Sequence, residues 1–574
     1  MKRSLLSMLA LVLLTGLALG CSGKVNEGGS EGSNRPSASS NEAGEPVTLT
    51  IFGGLVNNGA LQGPFQNDDV MAELEKRTNV KLDFTPTLNV TDASQKLAVM
   101  LAGKDLPDIV VFNALTDRDK VYNSGQAMPL DDLVAQYGQD IQKNAGEALA
   151  LYKQMNSDES HSLYYLPGKV GGDDYSPLVN QNAWNLRWDL YKQLNHPKLD
   201  TLDDLLDVLE DMMKLEPVNK FDKKNYGLGL NLSDDWGHLM IDKATANMRG
   251  MVQANYNDWY YDMSKQQIVP RVSDPEGIFW ESMKFYNKAY QRGILDPESA
   301  TLKFNAISEK YKTGRYFAAT AYWSLAGADN QFIADGQSEK GFAPFLVDHN
   351  EENIYIVQAF ASGDQYQMFI PKSSKNPEAA MKFINYLYTY EGAKLLQNGV
   401  EGKQYDVADG VPLLKDSEIE AIQNDPNHYL KTGVGKYIHL ARFTPHEDPQ
   451  GDPVNFTNVP ETLKKMALPV QLDFMEHYGY DSVNEAFTNI PNYKFDTSLM
   501  SAVNPEAGSD IQAKKEQLDA YLVANIAKII YQKTDDAYEK AKQDFLDAYS
   551  SKGAAEVFDY YKKTYDELVA SLEP

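Results

Sequence analysis

Near the start of this chain, two hydrophobic periods alternate over five short segments, and that alternation narrows the fold more than any other feature. Val47-Thr48-Leu49-Thr50-Ile51-Phe52 reads as a buried strand that ends at Gly53-Gly54. Met71 to Lys76 reads as a helix, and Val80, Leu82 and Phe84 alternate with polar residues as a strand does. Leu97, Met100 and Leu101 mark a second helix ended by Gly103, and Leu106-Pro107-Asp108 leads into Ile109-Val110-Val111-Phe112. Strand, helix, strand, helix, strand with short links predicts a parallel sheet covered on both faces, an α/β architecture. Ligands of such sheets sit beyond the carboxyl ends of the strands. That draws attention to Asn57 and Asn58 after the first strand, and to Asn113 and Asp117 after the third. Turn formation is the alternative for all four, because Asn and Asp make turns well.

Further along, Thr201 with Asp204 predicts a capping box opening a helix whose face is Leu205, Leu209 and Met212. Tyr226–Leu230 and Tyr316–Trp323 read as buried strands. Asn376 and Pro377 open a helix with a core face of Ala380, Phe383, Ile384 and Leu387. The C-terminal stretch is helical by pattern: Leu518, Leu522, Ile526 and Ile529, then Tyr538, Ala541, Phe545 and Ala548, then Val557, Tyr561, Tyr565 and Leu568. These helices read as packing elements. No internal repeat is visible.

The N-terminus reads as an address. Lys2 and Arg3 precede a mostly apolar run from Leu5 to Leu14, and Leu17-Ala18-Leu19-Gly20-Cys21 closes it. A basic start, a short apolar run and small residues before a break describe a secretory signal, here residues 1–20. The run is too short for a stable membrane span, and no later stretch approaches the roughly 18 apolar residues that a span needs. Cys21 is the only cysteine of 574 residues, so no intrachain disulfide can form. Residues 21–46 are rich in Gly, Ser, Asn and Glu and predict a disordered tether. Gly28-Gly29-Ser30-Glu31-Gly32 fits the G-x-S-x-G pattern of hydrolases but lies in that tether, not between a strand and a helix. The formal charge is −27, which disfavours nucleic acid as a partner.

Several segments, in order, resemble family 1 extracellular solute-binding proteins, the receptor components of carbohydrate ABC importers. Lys96-Leu97-Ala98-Val99-Met100-Leu101-Ala102-Gly103 with Leu106-Pro107-Asp108-Ile109 is similar to their K-L-x-x-M-L-A-S-G-x-x-P-D-I stretch. Met128-Pro129-Leu130-Asp131-Asp132-Leu133 and Arg292-Gly293-Ile294-Leu295-Asp296-Pro297 are similar to two further family segments. The longest match runs from Ile370-Pro371-Lys372 to Glu401-Gly402-Lys403-Gln404-Tyr405, whose ending resembles the large lipoprotein subgroup of Gram-positive bacteria. The matches span 47 to about 415. Cys21 resembles the lipidated cysteine of a lipobox, with Ala18 where that motif usually has Leu.

The resemblance implies a periplasmic-binding-protein-like fold: two lobes, each a sheet flanked by helices, joined by crossover strands, with extra C-terminal helices. Lobe one would be 47–168 and 365–415, and lobe two 169–364 and 416–574. It implies a lipid-anchored protein outside the bacterial membrane that closes on an oligosaccharide and delivers it to ABC permease subunits. It implies a monomer with no enzyme activity and no cofactor. All six tryptophans lie between Trp184 and Trp323. The family stacks an aromatic on the sugar at the point matching Trp236, in the polar loop Asp234-Asp235-Trp236-Gly237-His238, and another at Trp323. Asp235 of that loop, Trp259, and Tyr405 near the crossover complete the candidate ligand set, whereas Trp280 reads as core. Glu401 and Lys403 read as an ion pair. Some relatives with alginate ligands carry a calcium loop, but Asn219–Gly227 lacks the alternating oxygen ligands, so no metal is expected. H-E-x-x-H and phosphate-loop patterns are absent, and His446-Glu447-Asp448 reads as a solvated loop. Two rivals remain: a surface lipoprotein enzyme using paired carboxylates, and a receptor of the same fold for a non-sugar ligand.

Overall fold

The strand Val47–Phe52 runs parallel to Val80–Asp83 on one side, where Val47 pairs with Val80, and to Ile109–Phe112 on the other, where Ile51 pairs with Ile109. This is the arrangement that the alternation predicts. The computed structural model describes residues 45–572, apart from 56–66, 91, 113–114, 156–161, 172–181, 235, 255–257, 326, 349–354, 360–365, 426, 489 and 506–507. The crossover helices are Asp69–Thr78 and Ala93–Gly103, opened by Asp68 and Asp92, whose carboxylates accept from the Met71 and Gln95 N–H groups at 2.9 and 2.8 Å. All four residues of Ile109–Phe112 are buried, as a strand covered on both faces must be. Gly53 ends the first strand at φ +80, and a Cβ there would lie 2.2 Å from the Val111 carbonyl oxygen. Only glycine lets the chain leave the sheet so close to its neighbour. The sheet is not wholly parallel. Gln367–Phe369 joins antiparallel beside Ile109–Phe112, with Met368 opposite Val111, and Leu166–Pro167 closes the edge.

A second, antiparallel sheet places Trp184–Arg187 between Ala318–Ala319 and Phe342–Phe345. The expected strand Tyr316–Trp323 is shorter than its apolar run. Only Ala318 and Ala319 form a ladder, and Tyr322–Leu325 is a 3-10 turn. Tyr322 and Trp323 are exposed, so no buried sheet face favours extending the strand through them. Tyr226–Leu230 is extended but joins through single bridges, Tyr226 to Tyr316 and Leu228 to Leu295. The capping box of Leu202–Leu215 forms as expected, and Leu205, Leu209 and Met212 are fully buried. Pro377 opens the helix Pro377–Leu387, although the Asn376 side chain makes no cap hydrogen bond.

The described residues build two large cores. One draws on residues 49–170, 368–396 and 437–454, the other on 184–356 and 470–565. Residues 437–454 pack with the first core. Three helices end the chain: Asp510–Ile530, Asp535–Ser551 and Ala554–Leu572. Their apolar stripes join the second core, and Leu568 packs against both. Trp259 corrects an expectation here. It is fully buried on the strand Trp259–Asp262, with its ring 6.1 and 5.6 Å from those of Tyr561 and Tyr565. It anchors the last helix and is not a ligand platform. Trp280 is buried as expected, with its indole N–H donating to the Val272 carbonyl at 2.8 Å.

Two buried groups make the second core sensitive to charge. Arg187 is fully buried and forks to Asp189 at 2.7 Å and Glu216 at 3.1 Å. Asp329 accepts the Phe342 N–H at 3.0 Å. Burial pushes its carboxyl up to about 7, against the opposing pull of that N–H and of Arg187. The folded state thus holds this proton more tightly than the unfolded chain, whose carboxyls titrate near 4. The associated stability is complete below about pH 4 and is lost as pH rises through about 7. Asp329→Asn keeps an acceptor for Phe342 and removes the titration. In urea unfolding, its stability relative to wild type should rise between pH 4 and 8, and a difference that stays flat would refute the assignment. Trp259→Ala should cost about 3–5 kcal/mol. Trp323→Ala, at an exposed site, should cost about 1 kcal/mol or less.

Candidate functional site

Gly227 and Gly229 allow the extended segment Tyr226–Leu230 to lie against its neighbours. A Cβ on Gly229 would come 2.5 Å from the Tyr316 ring, and one on Gly227 would come 2.4 Å from Ile294. Tyr316 is held there by a buried carboxylate. Asp296 accepts the Tyr316 hydroxyl and the Lys310 ammonium, both at 2.7 Å, and the Glu298 N–H at 3.0 Å. Its own N–H donates to the Leu228 carbonyl. Burial pushes the Asp296 carboxyl up, but Lys310, the Glu298 N–H and the Tyr316 hydroxyl outweigh it and hold the group below the usual carboxylate range. Ser299, next in the turn, accepts the Leu230 N–H on its hydroxyl and the Leu232 N–H on its carbonyl.

On this base stands a cluster of three rings. Trp236 precedes the short 3-10 helix Gly237–Met240, Phe304 opens the helix Phe304–Lys312, and Trp323 sits in the turn Tyr322–Leu325. Their centroids are 5.9 Å apart for Trp236 and Trp323, 5.7 Å for Trp236 and Phe304, and 5.5 Å for Phe304 and Trp323. Asp234 fixes two of the three segments, with one carboxylate oxygen accepting from Asn231 Nδ2 at 3.0 Å and from the Phe304 N–H at 2.8 Å. Gly237 is required by the loop, because a Cβ there would stand 2.1 Å from the Asn231 carbonyl oxygen. The rings border a narrow cleft with an enclosed volume of only about 20 Å³, which also reaches Asn231, Thr320, Ser324 and, at its buried end, Trp184. Trp323 is 37% exposed and Tyr322 beside it 43%, so aromatic faces meet solvent at the mouth. Such a surface can stack on an apolar ring face while hydroxyl and amide groups meet polar edges.

The structure brings together Trp236 and Trp323 of the expected ligand set and places Asp117, Trp259 and Tyr405 apart from them. Asp117 is buried in the first turn of Leu115–Asn123, where it accepts from Ser94 at 2.5 Å and Lys120 at 2.8 Å, so its oxygens serve helix packing. Trp259 belongs to the core. Tyr405, on the hairpin Tyr405–Ala408 with Val411–Leu414, packs edge-on against Phe456 at 4.8 Å in a small separate core. Lys403 pairs with Asp69 at 2.6 Å rather than with Glu401. Asn57, Asn58, Asn113, Asp235 and Cys21 lie outside the described residues. Phe304 and Trp184 were not singled out in the sequence. Nothing in their neighbourhoods separates a cleft aromatic from a core one.

Comparison with known proteins agrees with this architecture. The chain is 23% identical to Lipoprotein LipO of Bacillus subtilis over 403 residues, which is 66% of this chain and 72% of that one. An HMO-binding, ABC-transporter-associated solute-binding protein from Bifidobacterium longum infantis superposes with a TM-score of 0.63 at 14% identity, covering 91% of this chain and 99% of that one. The alginate-binding protein AlgQ2, in its structure without calcium ion, gives a TM-score of 0.60 at 19% identity, covering 91% of this chain and 98% of that one. These likenesses establish the two-lobed, periplasmic-binding-protein-like α/β fold. A family model described as bacterial extracellular solute-binding protein matches residues 69–405, more than half of the chain. The chain therefore belongs to the bacterial extracellular solute-binding protein family.

Proposed function

We propose that this protein is a lipid-anchored receptor on the outer face of the bacterial cell membrane that captures an oligosaccharide between its two lobes and delivers it to an ABC transporter permease. The observation that carries this reading is the ring cluster of Trp236, Phe304 and Trp323, solvent-facing at its mouth and edged by Asn231, Thr320 and Ser324. Aromatic faces accept the C–H faces of sugar rings, and planar amides and hydroxyls accept their hydroxyls. The relatives point the same way: one is named as HMO-binding, another as alginate-binding, and a third as a lipoprotein.

In this reading the lobes are built on the two cores. A ligand that touches both lobes favours the closed arrangement by its extra contacts there, and the permease recognises that arrangement. No covalent step is involved. Cys21 carries the lipid, residues 22–46 tether the body, and the protein works as a monomer without a cofactor.

The test is thermal unfolding of residues 22–574 against an oligosaccharide panel, with chromatography of each glycan afterwards. A ligand at about 100 times its Kd adds about 2.7 kcal/mol and raises the Tm by a few degrees. The expected result is a shift with the glycan recovered intact. Trp236→Ala and Trp323→Ala should each weaken binding at least about tenfold, a loss of about 1.4 kcal/mol. A cleaved glycan would replace the receptor with an enzyme. For the anchor, wild-type protein should enter the detergent phase of a Triton X-114 partition and Cys21→Ser should stay in the aqueous phase. Equal partitioning of the two would remove the lipid from the proposal.

A further inference from the structure

We propose that Asp258 is a proton-operated clasp between the body of the protein and its last three helices: protonated it lets them seat, and ionised it loosens them. The clasp rests on the fold alone, so it stands or falls apart from the oligosaccharide reading.

Asp258 immediately precedes the strand Trp259–Asp262, and its carbonyl accepts the Arg271 N–H at 3.1 Å. All three C-terminal helices close around it. Tyr549 of Asp535–Ser551 donates its hydroxyl to the Asp258 carboxylate. Asp519 of Asp510–Ile530 and Tyr561 of Ala554–Leu572 border, together with Asp258, a cavity of about 20 Å³ walled by Leu518, Val557 and Phe558. That space has room for one water at most, too little to hydrate two carboxylates.

The neighbouring cations are already engaged. Arg271 is fully buried and forks onto Asp242 through Nε at 2.9 Å and Nη2 at 2.7 Å, where Tyr260 and Gln253 also donate. Its Nη2 reaches the His238 carbonyl at 2.9 Å as well. Its Nη1 stands 3.7 Å from Asp258, beyond hydrogen-bond reach. Lys515 pairs with Asp519 at 2.6 Å. Asp258 therefore faces two other carboxylates and one guanidinium that it must share. Burial pushes its carboxyl up to about 6. Arg271 and the Tyr549 hydroxyl pull the other way, while Asp519 and Asp242 add to the rise. Burial also pushes Asp519 up, against the pull of Lys515. Lys243, near Asp242 and Arg271, is drawn down by burial to about 8, so it keeps its charge where Asp258 titrates.

With the helices undocked, Asp258 meets water and titrates near 4. The docked state holds the proton more tightly. Its contribution is complete below about pH 4 and is lost as pH rises through about 6. Tyr561 and Tyr565 meet Trp259, the next residue, at the same junction, so the loss falls on the docking of these helices. For a protein outside the membrane, the pH of the medium would set how firmly they are held.

The test is hydrogen exchange of residues 22–574 at about pH 5 and pH 7.5, each amide corrected for its intrinsic rate, read over residues 510–572. Titration near 6 when docked and near 4 when undocked predicts that protection falls about tenfold between those two pH values. Asp258→Asn keeps an acceptor for Tyr549 and removes the charge, and it should abolish that fall. Comparison of the two proteins cancels other groups that titrate in the range, Asp329 among them. The same pH dependence in both would overturn the clasp. If Asp258→Asn does not fold, Tyr549→Phe decides: losing the hydroxyl that favours the ionised form should move the midpoint of the fall to higher pH, and an unmoved midpoint would equally overturn it.

Discussion

Asp296 accepts from Tyr316, Lys310 and Glu298 at once, and the segments that carry the aromatic cluster have this carboxylate as their common anchor. Tyr316 holds the extended Tyr226–Leu230 segment against the sheet, the Pro297–Ala300 turn fixes Leu230 and Leu232, and Lys310 belongs to the helix that Phe304 opens. The rings at the mouth thus inherit their positions from a polar group buried beneath them. A buried carboxylate is costly unless every oxygen is engaged, and here burial is outweighed by an ammonium, a hydroxyl and a backbone N–H. The arrangement suits a surface whose faces must be correctly spaced before any ligand arrives.

Local chemistry was the legible part of this sequence. The crossover unit from Val47 to Phe112, the Thr201–Asp204 capping box and the stripes of the C-terminal helices depend on residues close in the chain, and they formed as read. The insertion of Gln367–Phe369 into the first sheet was not legible, because its partner strands lie far away in sequence. The site divided along the same line. Trp236 and Trp323 draw attention through a family resemblance, while the ring of Phe304 comes beside them only once distant segments meet. Trp259 stands among the candidates only as one of the clustered tryptophans, and the approach of Tyr561 and Tyr565, distant in sequence, makes that ring core. Asp117 misled because a polar residue after a strand can serve a ligand or its own helix, and Ser94 and Lys120 decide for the helix.

The two cores differ in how they handle charge. The second holds Arg187 with Asp189 and Glu216, and Arg271 with Asp242 at 2.7 Å, all deep in an apolar setting. The first holds Asp68, which caps a helix through Met71 and accepts from Lys436 at 2.7 Å and Tyr437 at 2.6 Å. That last pair draws residues 436–437 back to the first sheet's helices, which is why residues 437–454 pack where the N-terminal segments do. Removing either partner of such a pair would strand a buried charge, a larger loss than the pair itself contributes.

The place of Gln367–Phe369 in the first sheet sets an order of events for a newly made chain. Strands Val47–Phe52, Val80–Asp83 and Ile109–Phe112 can associate as they emerge, but the sheet cannot join Leu166–Pro167 until residues 367–369 have been synthesised. The last helix comes later still, and its Leu568 touches both cores. For most of its synthesis the chain therefore exposes apolar strand edges that have no partner yet. Such edges invite aggregation, and pairings this distant in sequence form slowly. A chain of this topology gains from being kept unfolded until its final residues are available.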